Sequence, residues 1–346
     1  VAGCSASVIL DFSASINPLG PPQSAIAAIQ SHLSALTSYP EPTYRSLRSA
    51  LSQFHQISPE WILPGNGSAE LLTWACRDLA RQDATYLMTP AFGDYWRALR
   101  AFDAKCCPYS LVGLPPLGET LQWQIDSAIA KPQTSTCGLL LNNPHNPTGI
   151  LFSREQIMTW IEGFSLVVVD EAFMDFLMPE QQQSLIDNVQ QYPNLVIVRS
   201  LTKFYSLPGL RLGYAIAHPD LLQRWQQWRD PWSVNALAAA AAEVVVQDTE
   251  FQQQTWQWLN HAKPQLFRDL AQLPGLHPYP GAANFLLVQS SRSVGELQTK
   301  LLQRHRMFIR DCLSFAELGD RYFRIAVRSS VENQRLLDAL ADILSD

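Results

Sequence analysis

Apolar residues along this chain fall into short dense runs, and the segments between them carry a helical period. "CGLLLNNP" (137–144), "FSLVVVDEAF" (164–173) and "NLVIVRSLTK" (194–203) are each a few residues of Val, Ile and Leu closed by polar or turn residues. Runs that are apolar at every position, rather than every second one, predict parallel strands buried on both faces. Between the first two, "SREQIMTWIEGF" (153–164) predicts a helix, with Ser153 and Gln156 at capping-box spacing. Such alternation predicts an α/β fold: a mostly parallel sheet flanked by helices. "NALAAAAAEVVVQ" (235–247) predicts a further helix. The tail changes style, with a helix, a strand at 283–289, a helix at 294–305, strands at 307–312 and 322–328, and a closing helix at 331–344. That α+β pattern predicts a smaller C-terminal domain over 240–346, beside a large domain over 39–239 and an arm over 1–38 that packs with the small one.

Composition narrows the class. The 346 residues are 47 % hydrophobic and 16 % charged, as in a protein with large buried cores. A formal charge of −6 gives no electrostatic reason to expect a nucleic-acid partner. No apolar run reaches the ~20 residues of a membrane span, and no basic segment followed by an apolar one opens the chain, so neither a membrane span nor a signal peptide is expected. The chain starts at Val1, so part of the natural N-terminus is expected to lie upstream. Cys4, Cys76, Cys106, Cys107, Cys137 and Cys312 form no C-x-x-C pair and no His/Cys set with metal spacing. Reduced, mostly buried thiols in a cytoplasmic protein without a metal site are expected.

Ligands of an open parallel sheet bind at the carboxyl ends of its strands, and three predicted strand ends carry chemistry. They are "NNPHNPTG" (142–149), "DEAF" (170–173) and "SLTK" (200–203). Singly, Asp170 fits a cap or turn residue, Lys203 a solvated side chain, and the amide-rich segment a turn with two prolines. Together on one rim they point to pyridoxal phosphate (PLP), whose aldehyde needs a lysine amine and whose ring nitrogen needs a carboxylate. Lys203 and Asp170 are those candidates. Ser200 and Arg211 flank the lysine and suit the cofactor phosphate, for which Arg offers a planar fork. Gly209 and Gly213 are expected to let the backbone turn tightly there. In "PGNGSAELL" (64–72), Gly67, Ser68 and Ala69 offer N–H groups at a helix start to the same phosphate, or form an ordinary N-terminus capped by Ser68. Phe92 in "TPAFGDY" either stacks on the ring or packs in the core. Arg310, Arg321, Arg324 and Arg328 are either a solvated basic edge or a seat for a doubly charged substrate. Arg324 and Arg328, four apart, are expected on one side of one strand.

"NPHNPTG", "DEAF" and "SLTKFYSLPGLRLGY" together resemble the fold-type I PLP-dependent aminotransferases of classes I and II. "LDFSASINPLGPP" (10–22), "DPWSVNALA" (230–238), "IRDCLSF" (309–315) and "YFRIAVRSSVENQRLL" (322–337) place the resemblance in the branch holding threonine-phosphate decarboxylases and histidinol-phosphate aminotransferases, the former more closely. The resemblance spans almost the whole chain. It implies that Lys203 carries the cofactor, Asp170 partners its nitrogen and Asn146 bonds its ring hydroxyl. It further implies that Phe92 stacks on the ring and that Ser200, Arg211 and the Gly67–Ser68–Ala69 turn hold the phosphate. Tyr39 of "SYPEP" matches a tyrosine that reaches the neighbouring subunit's cofactor phosphate, which implies a homodimer with shared active sites. Arg324 matches the arginine for the substrate α-carboxylate and Arg310 one for a substrate phosphate, with Ser15 and Asn146 beside them. Two positions depart from the pattern. Phe173 stands where many relatives carry tyrosine, and Ser15 where the branch carries asparagine. The activity implied is decarboxylation of L-threonine O-3-phosphate in cobalamin synthesis. Amino transfer on histidinol phosphate, transfer on another amino acid, and a non-catalytic effector on the same fold are the alternatives. A turnover assay separates the enzymes from the effector.

Overall fold

Alternation along the buried strands decides which side chains reach the functional rim. The computed structural model describes residues 9–111 and 136–346. Its strands are β1 (Leu10–Asp11), β2 (Ile62–Asn66), β3 (Ala84–Thr89), β4 (Cys106–Ser110), β5 (Cys137–Asn142), β6 (Leu166–Asp170), β7 (Leu195–Ser200), β8 (Leu212–Ala217), β9 (Leu276–Pro278), β10 (Phe285–Ser290), β11 (Met307–Phe308), β12 (Arg310–Asp311) and β13 (Tyr322–Ala326). Seven of them form one sheet in the order β2-β8-β7-β6-β5-β3-β4. Neighbours from β4 through β7 are parallel, and β8 alone runs antiparallel to both strands beside it.

Both faces of this sheet are covered, which is why its central strands are apolar throughout. Leu139, Leu141, Val167, Val169 and Ile197 belong to one apolar layer. Leu140, Val168, Val196 and Val198 belong to the other, beneath the helices Gly67–Leu79 and Gly93–Arg100. Because side chains alternate with period two, Asn142, Asp170 and Ser200 continue the second set at the strand ends, with Asn142 and Asp170 in register. The residue just past β6 and the one before Ser200 on β7 turn the other way. Glu171 and Arg199 meet on the opposite face, where Arg199 Nε donates to Glu171 at 2.9 Å and Nη1 donates to Asp175.

The predicted helix at 153–164 is present as Arg154–Ile161, with the Ser153/Gln156 capping box formed in both directions. The second unit is an antiparallel sheet, β12-β13-β10-β9, backed by the helices Thr249–Gln272, Val294–His305 and Ser330–Leu344. The single strand expected at 307–312 is two short ones. β11 pairs in parallel with β1, while β12 joins β13, so Ile309 is where the segment changes partner. The β1–β11 pairing ties residues 10–11 to the C-terminal part of the chain. Cys76 and Cys312 are buried thiols, pushed up to about 12 by burial, Cys106 and Cys107 are half-buried on β4, and Cys4 lies outside the described residues. Among the described residues no helix is long and apolar enough to cross a membrane.

Candidate functional site

A cavity of about 220 Å³ opens over the carboxyl ends of β5, β6 and β7. Lys203, Asp170, Asn146, Phe92, Ser68, Ala69, Ser15 and Arg324 all line it, joined by Phe173 and Tyr95. A separate cavity of about 320 Å³, between His55, Asp175, Arg199 and Trp256, holds none of these groups.

Asp170 ends β6, 5 % exposed. Its carboxylate accepts the Tyr95 hydroxyl at 2.6 Å on Oδ2 and the Ala172 N–H at 3.0 Å on Oδ1. Its carbonyl accepts Asn142 Nδ2 (2.7 Å) and the Asn143 N–H (2.9 Å), which ties the ends of β5 and β6 together. Burial holds this carboxyl above its ordinary range, opposed first by the Tyr95 hydrogen bond and then by the Lys203 charge. Lys203 stands just past β7, on the short helical turn Leu201–Phe204, with Nζ 5.1 Å from the centre of the Phe173 ring. Burial pulls its ammonium below the ordinary lysine value. Arg324 and Arg211 act in the same sense, and Asp170 opposes them. A lysine poised this way reaches its neutral, nucleophilic form more readily than a solvated one.

The "NPHNPTG" segment folds back on itself, with Asn142 Oδ1 accepting the Asn146 N–H at 2.6 Å. Asn146 Oδ1 in turn accepts Arg324 Nη1, while Arg324 Nη2 donates to the Ser13 carbonyl at 3.0 Å. The N-terminal segment, the loop after β5 and β13 are thus joined at one guanidinium. Arg324 Nε and Ser15 Oγ are buried without a hydrogen-bond partner, and both residues line the cavity. Unpaired buried donors are costly, and an anionic ligand in the cavity would satisfy them. Arg310 is exposed and bonds Ser314 Oγ at 3.1 Å. It lies opposite Arg324 in the β12–β13 register, so both side chains leave the same face.

The residues expected to hold the cofactor phosphate gather at the start of the helix Gly67–Leu79. Gly67 has φ +75°, and a Cβ there would fall 2.7 Å from Arg211 Nη2. The bare backbone therefore lets Arg211 lie against the start of the helix Gly67–Leu79, where free N–H groups and the helix dipole favour an anion. Ser200, 1 % exposed, shares a 2.8 Å hydrogen bond with Thr202 Oγ1. At Gly213 a Cβ would sit 2.5 Å from the Ser68 nitrogen and 2.6 Å from the Arg199 carbonyl, both backbone atoms that cannot move aside. Gly213→Ala is expected to destabilise the fold by about 1–3 kcal/mol and to lower the melting temperature. An unchanged melt would show that β8 and the helix start are not held this closely.

Two expectations change. Gly209 has open space around it and no positive φ, and Gly213 lies within β8, also without a positive φ, so neither makes the tight turn; Arg211 itself takes the left-handed conformation at φ 56°. Arg328 does not share a side with Arg324 on one strand, because β13 ends at Ala326. Arg328 bonds Glu332 at 2.7 Å and the Asp11 carbonyl at 3.1 Å. Arg321 serves the Ser291 carbonyl. Tyr39 is 79 % exposed and lies 4.6 Å from the Trp232 ring, away from this chain's own cavity. Sequence reasoning gives no role to Tyr95. An aromatic three residues after Phe92 reads as core until the fold sets it on Asp170.

The cavity suits PLP. It has a half-buried lysine, a buried carboxylate, a glycine at the helix start against which an arginine lies and, at the far side, unpaired donors. The comparisons agree with that reading. A threonine-phosphate decarboxylase of Salmonella typhimurium is 40 % identical over 351 residues, covering 100 % of this chain and 94 % of the relative. The structure of an L-threonine-O-3-phosphate decarboxylase from Porphyromonas gingivalis superposes with a TM-score of 0.84 at 25 % identity, over 98 % of this chain and 100 % of that one. A histidinol-phosphate aminotransferase from Clostridium acetobutylicum superposes at 0.89, also at 25 % identity, over 97 % and 99 %. The model of the family described as aminotransferase class I and II matches residues 7–340, and the chain belongs to that family.

Proposed function

We propose that this chain is a PLP-dependent decarboxylase that converts L-threonine O-3-phosphate to (R)-1-aminopropan-2-yl phosphate and CO₂, for cobalamin synthesis in the cytoplasm. The observation that carries the reading is the 40 % identity across the entire chain to an enzyme named for that activity. Bound in the cavity, PLP supplies an aldehyde for the substrate amine and a ring that takes up the electron pair of a bond broken at Cα. Lys203 Nζ carries the cofactor between turnovers and returns a proton to Cα after CO₂ has left. With PLP bound, Asp170 would partner the ring nitrogen, Asn146 the ring hydroxyl, and Phe92 would stack on the ring. Gly67, Ser68, Ala69, Ser200 and Arg211 hold the cofactor phosphate. Tyr39 reaches the cofactor phosphate of a second copy, making the working unit a homodimer. Arg324 takes the substrate carboxylate with Ser15 beside it, and Arg310 takes the substrate phosphate.

The 0.89 superposition favours one second reading, amino transfer on histidinol phosphate. Multiple turnovers separate the two. With PLP and threonine phosphate but no 2-oxo acid, a decarboxylase regenerates its cofactor and is expected to release many equivalents of CO₂. An aminotransferase releases no CO₂ and stalls after converting about one equivalent of substrate, until an oxo acid is supplied to take the amine. Turnover of histidinol phosphate with 2-oxoglutarate, and no CO₂ from threonine phosphate, would replace the first reading by the second.

A further inference from the structure

Asp170, the candidate partner of the ring nitrogen, is itself held by a side chain that no reading of the sequence singles out. Tyr95 stands on the first turn of the helix Gly93–Arg100, 2 % exposed, and gives its hydroxyl proton to Asp170 Oδ2 at 2.6 Å. The Ala172 N–H occupies Oδ1 at 3.0 Å. An ionised carboxylate only accepts, and a backbone N–H only donates. The direction of both bonds is therefore settled. Burial and the adjacent Asp170 charge push the Tyr95 phenol far above its ordinary value, so its proton stays in place. The Tyr95 ring sits edge-on to Phe92 at 5.6 Å and packs in the apolar layer that contains Ala98 and Leu99. One fixed donor on each oxygen sets the carboxylate plane, and both Tyr95 and Asp170 line the cavity.

We propose that Tyr95 is a positioning residue for the cofactor ring: its hydroxyl fixes the Asp170 carboxylate so that a free lone pair faces the protonated ring nitrogen. Burial works against an ionised Asp170, and the Tyr95 bond is the first force opposing it. Among the described residues Asp170 is the hydrogen-bond partner found for the Tyr95 hydroxyl, so the two groups act as a unit. This inference rests on the PLP reading above.

The test compares two ligands on four proteins. PLP, and its deaza analogue with C–H in place of the ring nitrogen, are titrated by quenching of tryptophan fluorescence. The proteins are the wild type, Tyr95→Phe, Asp170→Ala and the double variant. Tyr95→Phe removes one oxygen and keeps the ring. It is expected to weaken PLP binding about ten-fold or more, as loss of a hydrogen bond to a charged group does, and to change analogue binding by less than about two-fold. In the Asp170→Ala background the same substitution is expected to change neither. A loss of folded fraction lowers both affinities alike, so it cannot imitate a change in their ratio. Parallel weakening of both ligands would make Tyr95 a packing residue and overturn the inference. So would an unchanged PLP affinity. A wild type that binds neither ligand would instead remove the PLP reading itself.

Discussion

Lys203→Ala is expected to abolish covalent attachment of PLP and to lower turnover by about 10⁴-fold or more, since it removes both the nucleophilic amine and the group that moves the Cα proton. The fold should survive. Burial holds the Lys203 ammonium below its ordinary pKa, so the charged form is less favourable in the native than in the unfolded state. Stability from such a group is gained as pH rises through its folded value, so deleting it at neutral pH removes a cost. A smaller opposing effect comes from Asp170, which loses a nearby positive charge. Apoprotein melting at pH 7 should therefore stay close to wild type while the function disappears. Borohydride treatment followed by intact mass is the direct readout, because it fixes PLP to the wild-type chain only. A variant still tagged by borohydride would mean that another amine carries the cofactor.

The parts of this site that sequence reasoning finds are those written into local patterns. The runs 137–144, 164–173 and 194–203 are apolar at every position because both faces of β5, β6 and β7 are covered, and their ends place Asn146, Asp170 and Lys203 on one rim. Gly67 and Gly213 are where bare backbone is required. What the sequence hides depends on where elements stop and which partner they choose. Arg328 has the right spacing for the face of Arg324, but β13 ends two residues earlier and Glu332 captures it. The segment 307–312 has one apolar pattern, yet its halves serve two sheets. Nothing local marks Arg199, a buried cation in a strand of Val and Ile. Its partners Glu171 and Asp175 come from a different strand end. Tyr95 is hidden for the same reason, since its meaning lies in a contact 75 residues away. Arg324, Arg310 and Ser15 are legible in the sequence as a candidate anion seat, but that Ser15 Oγ and Arg324 Nε are buried and unpaired emerges only from the fold.

That seat yields the second large effect. Arg324→Ala is expected to lower kcat/KM for threonine phosphate by roughly 10²- to 10³-fold or more, the range set by about 3–5 kcal/mol for removing one member of a buried charge pair. Burial pushes Arg324 down to about 10, which leaves it charged at neutral pH, and its unpaired Nε is free to meet a substrate carboxylate. Arg324→Lys should recover only part of the loss. A lysine keeps the charge but cannot donate to Asn146, to the Ser13 carbonyl and to a ligand from one planar fork. PLP affinity supplies the control. Arg324 bonds one of the candidate cofactor residues, Asn146, and otherwise acts on Lys203 only through its charge, so PLP binding should fall far less than substrate turnover. If kcat/KM stays within about three-fold of wild type, less than the ~1 kcal/mol of an ordinary hydrogen bond, the carboxylate seat lies elsewhere. If PLP affinity falls as steeply as turnover, Arg324 acts by holding Asn146 for the cofactor, and Arg310 and Ser15 remain to receive the anionic substrate.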